Sequence, residues 1–174
     1  MAGAKQIFLD AARQDKAIHI GVHVELFMLN HLYGSKAVLR SMAQAQAVGA
    51  AVSSKLTTLW TTRNSGLLAP QGPKDRFVMH RAFSAIANPK HSDFIEKNDI
   101  QVSLITGMTA SKCVDATKRD CEQRGMTPIM VLDAIDLCAP GNDREWLQEL
   151  AEDQWGQSLH TAMTSDIEQW VREI

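Results

Sequence analysis

Cys113 is the residue of this chain best placed to do chemistry. It lies in Gly107-Met108-Thr109-Ala110-Ser111-Lys112-Cys113-Val114, where a glycine breaks the apolar run Leu104-Ile105-Thr106 and a helix-forming stretch begins. A thiol in the first turn of a helix faces unpaired backbone N–H groups and the positive end of the helix dipole, which favours the thiolate and lowers its pKa. Lys112 adds a positive charge in sequence, although adjacent helix residues point in different directions. Two roles are open to Cys113. It is either a nucleophile or a small buried core residue, the commoner fate of an intracellular cysteine.

The elements that must position this thiol can be read from the rest of the chain. Ala17 to Val22 is a short strand-like run, Ser35 to Ser54 an Ala- and Gln-rich helical stretch, and Leu56 to Thr62 a β-branched and aromatic strand. Arg76 to His80 reads as a further short strand and Asp93 to Lys97 as a short helix. Gln101 to Thr106 reads as a buried strand, and Ala110 to Arg124 as a helix ending at Gly125, a fitting C′ glycine. Thr127 to Leu132 is the next strand, and helices over Asp143 to Asp153 and roughly Ser158 to Glu173 close the chain. Arg63 to Lys74, Ala87 to Ser92 and Ala139 to Asp143 read as loops.

Strands alternating with helices predict an α/β fold, a central mostly parallel β-sheet sandwiched by helices through right-handed crossovers. Sites in such sheets form beyond the carboxyl ends of the strands. That edge gathers Val22 and His23, Thr62 and Arg63, His80, and the loop from Gly107 to Cys113.

Composition narrows the class. The 174 residues, 45% hydrophobic and 22% charged, suffice for one sizeable core and predict a single domain over 1–174. A formal net charge of −2 and a pI near 6.3 give no basic footprint for nucleic acid or an anionic membrane. No apolar run approaches the roughly 18 residues of a membrane-spanning helix, and the start of the chain has no cleavable apolar segment. Three cysteines without CxxC spacing suit a reducing compartment, so the expected location is cytoplasmic.

The stretch from Leu104 to Thr117, then Gly125 and Val131-Leu132-Asp133-Ala134, resembles the signature of the isochorismatase-like cysteine hydrolases. That pattern is an apolar strand, a glycine, a short loop, Cys-Val, a threonine three residues past the valine, a helix-closing glycine and an apolar strand ending Asp-Ala. Phe83-Ser84-Ala85-Ile86 is similar to the family's Ser-Ala-Phe segment, and Ala17 to Phe27 to its first strand and turn. The resemblance implies a three-layer α/β/α domain, often assembled into homo-oligomers.

It also implies a chemistry. Members that use the thiol hydrolyse small amides, ureas or imides: the cysteine attacks the carbonyl, a carboxylate takes its proton and a lysine assists. Cys113 matches the nucleophile. The carboxylate position, five residues before Phe27, holds Val22, and the lysine position, four before Ser84, holds His80. Ordinary amide or C–N hydrolysis is therefore expected to be absent or altered. His80 could pair with Cys113 as a thiolate–imidazolium dyad or merely fill the vacated position. His23 or Glu25 could supply a base, although strand alternation sends His23 to the face opposite Val22. Alternatively, the chain is a non-catalytic oligomeric binding or scaffold pseudoenzyme. The family loop usually has a non-proline cis peptide, here Met108–Thr109, aiming the N–H groups of Thr109 and Cys113 at an oxyanion. Gly107, Met108, Thr109 and Val22 would then line a pocket for a small carbonyl-containing ligand.

The remaining features read as structural. The histidines show no metal-ligand spacing, and the Asp-x-His of the family's metal-binding branch is not found, so neither metal nor cofactor is expected. Cys121, two helical turns after Cys113, is too far for a disulfide within an intact helix, and Cys138 reads as packing. Met108 and Met126 read as core or pocket lining, and the resemblance makes Asp133 a structural cap. The small residues of Ser35 to Ser54 suit a tightly packed inner helix. Trp155, Leu159, Met163, Ile167, Trp170, Val171 and Ile174 form an apolar stripe. The stripe either packs back on its own sheet or makes a subunit contact.

Overall fold

The protein is described here by a computed structural model covering residues 3–23, 36–62, 72–79, 82–136 and 160–174. The apolar and β-branched runs form strands: β1 Ala17–Val22, β2 Thr57–Thr62, β3 Arg76–Met79, β4 Val102–Met108, β5 Thr127–Asp136 and β6 His160–Ala162. They pair in the order β3-β2-β1-β4-β5-β6, every pair parallel. Among the described residues five α-helices accompany them: α1 Ala4–Ala12, α2 Lys36–Val52, α3 Pro89–Lys97, α4 Asp115–Gln123 and α5 Thr164–Val171. This is the expected α/β sandwich with a central parallel sheet.

Alternation along the strands divides the core into two layers. On one face Phe8 of α1, Ala45 and Val48 of α2, Trp60, Leu104 and Trp170 pack together. On the other, Ile20 and Val22 meet Ile86, Ile105, Cys113 and Cys121. Close approach in the first layer depends on two glycines. The Trp60 indole lies so near Gly21 and Gly49 that a Cβ on either would overlap the ring. The small residues of α2 therefore serve the tight packing predicted for them.

The differences from the expected elements have local causes. The helix expected at Asp93 begins earlier, at Pro89, because Asn88 caps it by accepting from the Lys90 N–H at 3.0 Å and proline fits the first helical position. The stretch expected as one helix from about Ser158 opens instead as β6. Helix α5 starts only at Thr164, whose N–H and hydroxyl both donate to Asp133 Oδ1 at 2.8 and 3.0 Å. Asp133 is thus a structural cap, as the resemblance implies, although β5 runs on past it to Asp136. Helix α1 has no counterpart in the elements expected from sequence. Ile167 and Trp170 turn inward, with Trp170 5.7 Å from the Phe8 ring, so this part of the C-terminal stripe packs on its own chain. Trp155, Leu159, Cys138 and the helix expected over Asp143 to Asp153 lie outside the described residues.

Candidate active site

The site is built at the carboxyl end of β4, beside β1. Gly107 pairs with Val22, and its φ of +110° is a conformation glycine adopts freely. The Val22 carbonyl occupies the space where a Cβ on Gly107 would fall. One residue on, the Met108–Thr109 peptide bond is cis, where the resemblance puts it. The chain then enters a π turn, Ala110–Val114, rather than a regular α-helix. The Thr109 carbonyl accepts from the Lys112 N–H at 3.0 Å and from the Val114 N–H, five residues on, at 3.1 Å. Wide turns of this kind often occur at functional positions. Cys113 sits within the turn, 6% exposed, and α4 continues directly from it.

The segment after β3 is fastened to this helix. The Thr117 hydroxyl donates to the Cys113 carbonyl at 2.7 Å and accepts from the Ala85 N–H at 2.9 Å. Ser84 Oγ donates to Asp120 at 2.7 Å, and His91 Nδ1 donates to the Ala85 carbonyl at 2.9 Å. The family-like sequence carries Thr117 as a motif position but gives no sign of its partner Ala85, which lies far away along the chain.

Of the sequence-predicted site residues, Val22 and Cys113 share the second apolar layer, and Val22 is wholly buried. Thr109 precedes the π turn, and the Met108 side chain packs in the first layer, on the other face of the sheet. His80 and Glu25 lie outside the described residues. His23 is described and buried, and its N–H donates to the Thr61 carbonyl at 3.0 Å. Its φ of +50° ends the strand alternation there. A carboxylate that sequence reasoning misses, Asp136, is buried opposite Met108 and accepts from Ser41 Oγ at 3.0 Å.

Two buried groups take no charge near neutrality. His19 bonds Thr106 Oγ1 through Nε2 at 2.8 Å and meets the Trp60 ring edge-on, and burial lowers its pKa to about 3. Burial likewise pushes the Cys121 thiol up to about 12, against a smaller opposing effect of the Ser103 hydroxyl. Neither Cys113 nor Cys121 is in a disulfide.

Among the described residues no cluster of three or more His, Cys, Asp or Glu could hold a metal ion, and no helix is long and apolar enough to cross a membrane. A cleft of about 590 Å³ opens at the amino ends of β1, β2 and β3, the sheet edge opposite Cys113. Its charges are mixed, with Asp15 and Asp75 among Lys55, Lys74 and Arg76, so it has no evident part in chemistry at the thiol.

The fold and the cysteine loop define a class, and comparison with known proteins gives it a name. The isochorismatase domain model matches residues 8–167, so the chain belongs to the isochorismatase-like hydrolase family. A cysteine hydrolase from Pseudomonas syringae pv. phaseolicola superposes with a TM-score of 0.73 at 13% identity, over 92% of this chain and 94% of that one. N-carbamoylsarcosine amidase from Thermoplasma acidophilum gives 0.69 at 15% identity, over 86% and 96%. An isochorismatase from Pseudomonas putida gives 0.68 at 16% identity, over 88% and 90%. At these identities the likeness is one of fold. No curated protein sequence matches the chain significantly.

Proposed function

We propose that this chain is an isochorismatase-like hydrolase that keeps Cys113 at the nucleophile position but lacks the family's proton transfer, so that ordinary amide or C–N hydrolysis is absent or altered. The observation that carries this reading is Val22. It stands at the carboxylate position, wholly buried in the same apolar layer as Cys113. Valine has no group that takes a proton, so the thiol must be activated from elsewhere.

His80 is the residue the sequence offers in that role. In any residual reaction the Cys113 sulfur forms a bond to the carbonyl carbon, and the N–H groups of Thr109 and Cys113 receive the oxyanion. The C–N bond then breaks with a proton delivered to the leaving amine, and water hydrolyses the thioester. No cofactor is needed for these steps.

The second reading is a cytoplasmic, homo-oligomeric binding or scaffold protein on the same fold, in which the pocket holds a small carbonyl compound or nothing. Besides Val22, exposed Phe77, Met79 and Phe83 favour it, since large apolar side chains at a surface suit a contact with another molecule.

A panel of nicotinamide, N-carbamoyl amines and biuret tests both. Little turnover is expected, with no difference between the natural chain and Cys113→Ala. Robust hydrolysis abolished by Cys113→Ala but untouched by His80→Ala would overturn the proposal, whereas loss in both variants would make His80 the replacement base of an altered hydrolase.

A further inference from the structure

We propose that Thr117 is a positioning residue that locks the backbone of Cys113 to the segment following β3, so that the cysteine and that segment move as one. This rests on the reading of Cys113 as the retained nucleophile. A threonine hydroxyl has one hydrogen and two lone pairs, so donating to the Cys113 carbonyl and accepting from the Ala85 N–H are compatible and together fix its direction. The β-branched side chain has few rotamers to lose in a helix. Thr117 and Ala85 are both wholly buried, so neither the hydroxyl nor the amide can turn to water instead.

The segment is gripped on either side of this bond. Ser84 is tied to Asp120 of α4, and the Ala85 carbonyl to His91 of α3. Asp120 is held in turn by Arg124 Nε at 3.0 Å, and Arg124 reaches Ser92 Oγ at 2.7 Å, which joins α4 back to α3. Within this frame the Thr117 hydroxyl links the segment to the cysteine itself. It acts through the carbonyl of Cys113 rather than through the thiol, fixing how the residue is presented to the segment around Ser84 and Ala85.

The test compares the natural chain, Thr117→Val and Thr117→Ser. It follows amide hydrogen exchange at Ala85, the pH profile of iodoacetamide alkylation at Cys113, and the urea midpoint. Thr117→Val keeps the shape and removes the hydroxyl, so Ala85 exchange should quicken about tenfold, the loss of one buried hydrogen bond. The Cys113 alkylation profile should also shift, and Thr117→Ser should restore both. A lowered urea midpoint with an unchanged Cys113 profile would show a merely structural threonine and overturn the proposal, as would Thr117→Ser behaving like Thr117→Val.

If Thr117→Val does not fold, the natural chain still decides: Ala85 exchange as fast as that of exposed amides refutes the link. None of these readouts needs a substrate, so failure of the amide panel is separable from failure here. If Cys113 resists alkylation in the natural chain, Ala85 exchange in the variants decides alone. Exchange quickened by Thr117→Val and restored by Thr117→Ser supports the lock, and exchange unchanged in Thr117→Val overturns it.

Discussion

The carbonyl of Val22 abuts Gly107, one residue before the end of the strand that carries the cysteine loop. The position that the resemblance assigns to the family's base and the start of the cysteine loop are therefore joined through backbone, whatever side chain residue 22 carries. This explains how the loop can keep its shape in a chain whose residue 22 has no acid–base function.

Gly107→Ala should be strongly destabilising. The new Cβ meets the Val22 backbone, which cannot swing aside as a flexible side chain would, and alanine is strained at a φ of +110°. A loss of about 2–4 kcal/mol is expected in urea unfolding. A change under about 1 kcal/mol would mean the two strands separate easily at this edge.

The two described thiols should differ in reactivity. Cys121 is wholly buried and its pKa is pushed up to about 12, so almost no thiolate exists at neutral pH. Cys113 sits at the sheet edge in the π turn. Mass spectrometry after brief iodoacetamide treatment of the folded protein should find Cys113 labelled first. Equal labelling would place Cys113 among inert core thiols.

Much of this arrangement is legible in the sequence. The apolar runs locate β1, β2, β4 and β5, and Gly107, Cys113 and Gly125 mark the loop and the end of its helix. What cannot be read depends on partners distant along the chain. Thr164 begins a helix because Asp133 caps it from another strand, so the periodicity that suggests a longer helix gives no warning of β6. Pro89 reads as a break in sequence, whereas in the fold Asn88 caps the helix that this proline opens. The fastening of Ala85 to Thr117 joins two elements that no local pattern connects.

Val22→Asp should cost stability in a pH-dependent way. The carboxylate would enter a fully buried apolar position, and burial raises the pKa of an acid by disfavouring its charged form. At neutral pH the unfolded chain is ionised while the folded one resists ionisation, so the variant should unfold at clearly lower urea than the natural chain. Below the unfolded pKa of about 3.9 both states are protonated and the gap should narrow. A gap independent of pH would indicate that the new carboxylate finds a hydrogen-bonding partner at the site.

His19 should make the protein acid-sensitive. Its folded pKa is about 3, whereas the unfolded side chain titrates near its ordinary 6.5, so between these values the unfolded state binds the extra proton. The contribution of His19 is complete above about pH 6.5 and falls by about 1.4 kcal/mol per pH unit as the solution is acidified toward 3. His19→Gln should flatten the urea stability profile over that window. An equally steep profile in the variant would assign the acid sensitivity to other groups.

Substitutions at Trp170 and Met79 should separate the inside of the molecule from its surface. Trp170 packs against Phe8 within the first layer, so Trp170→Glu removes a large buried ring and forces a carboxylate into the core, at a cost of about 4 kcal/mol or more. Unfolding is the expected result, rather than clean dissociation of any assembly. Met79 is 68% exposed on the edge strand, and Met79→Glu should alter the stability of the chain by no more than about 0.5 kcal/mol. Sedimentation of the natural chain at micromolar concentration should give a multiple of 19.2 kDa if the proposed homo-oligomer forms. A folded Trp170→Glu variant with unchanged urea midpoint would contradict the packing of α5 against Phe8. A natural chain sedimenting as a monomer would remove the scaffold reading and leave the altered hydrolase.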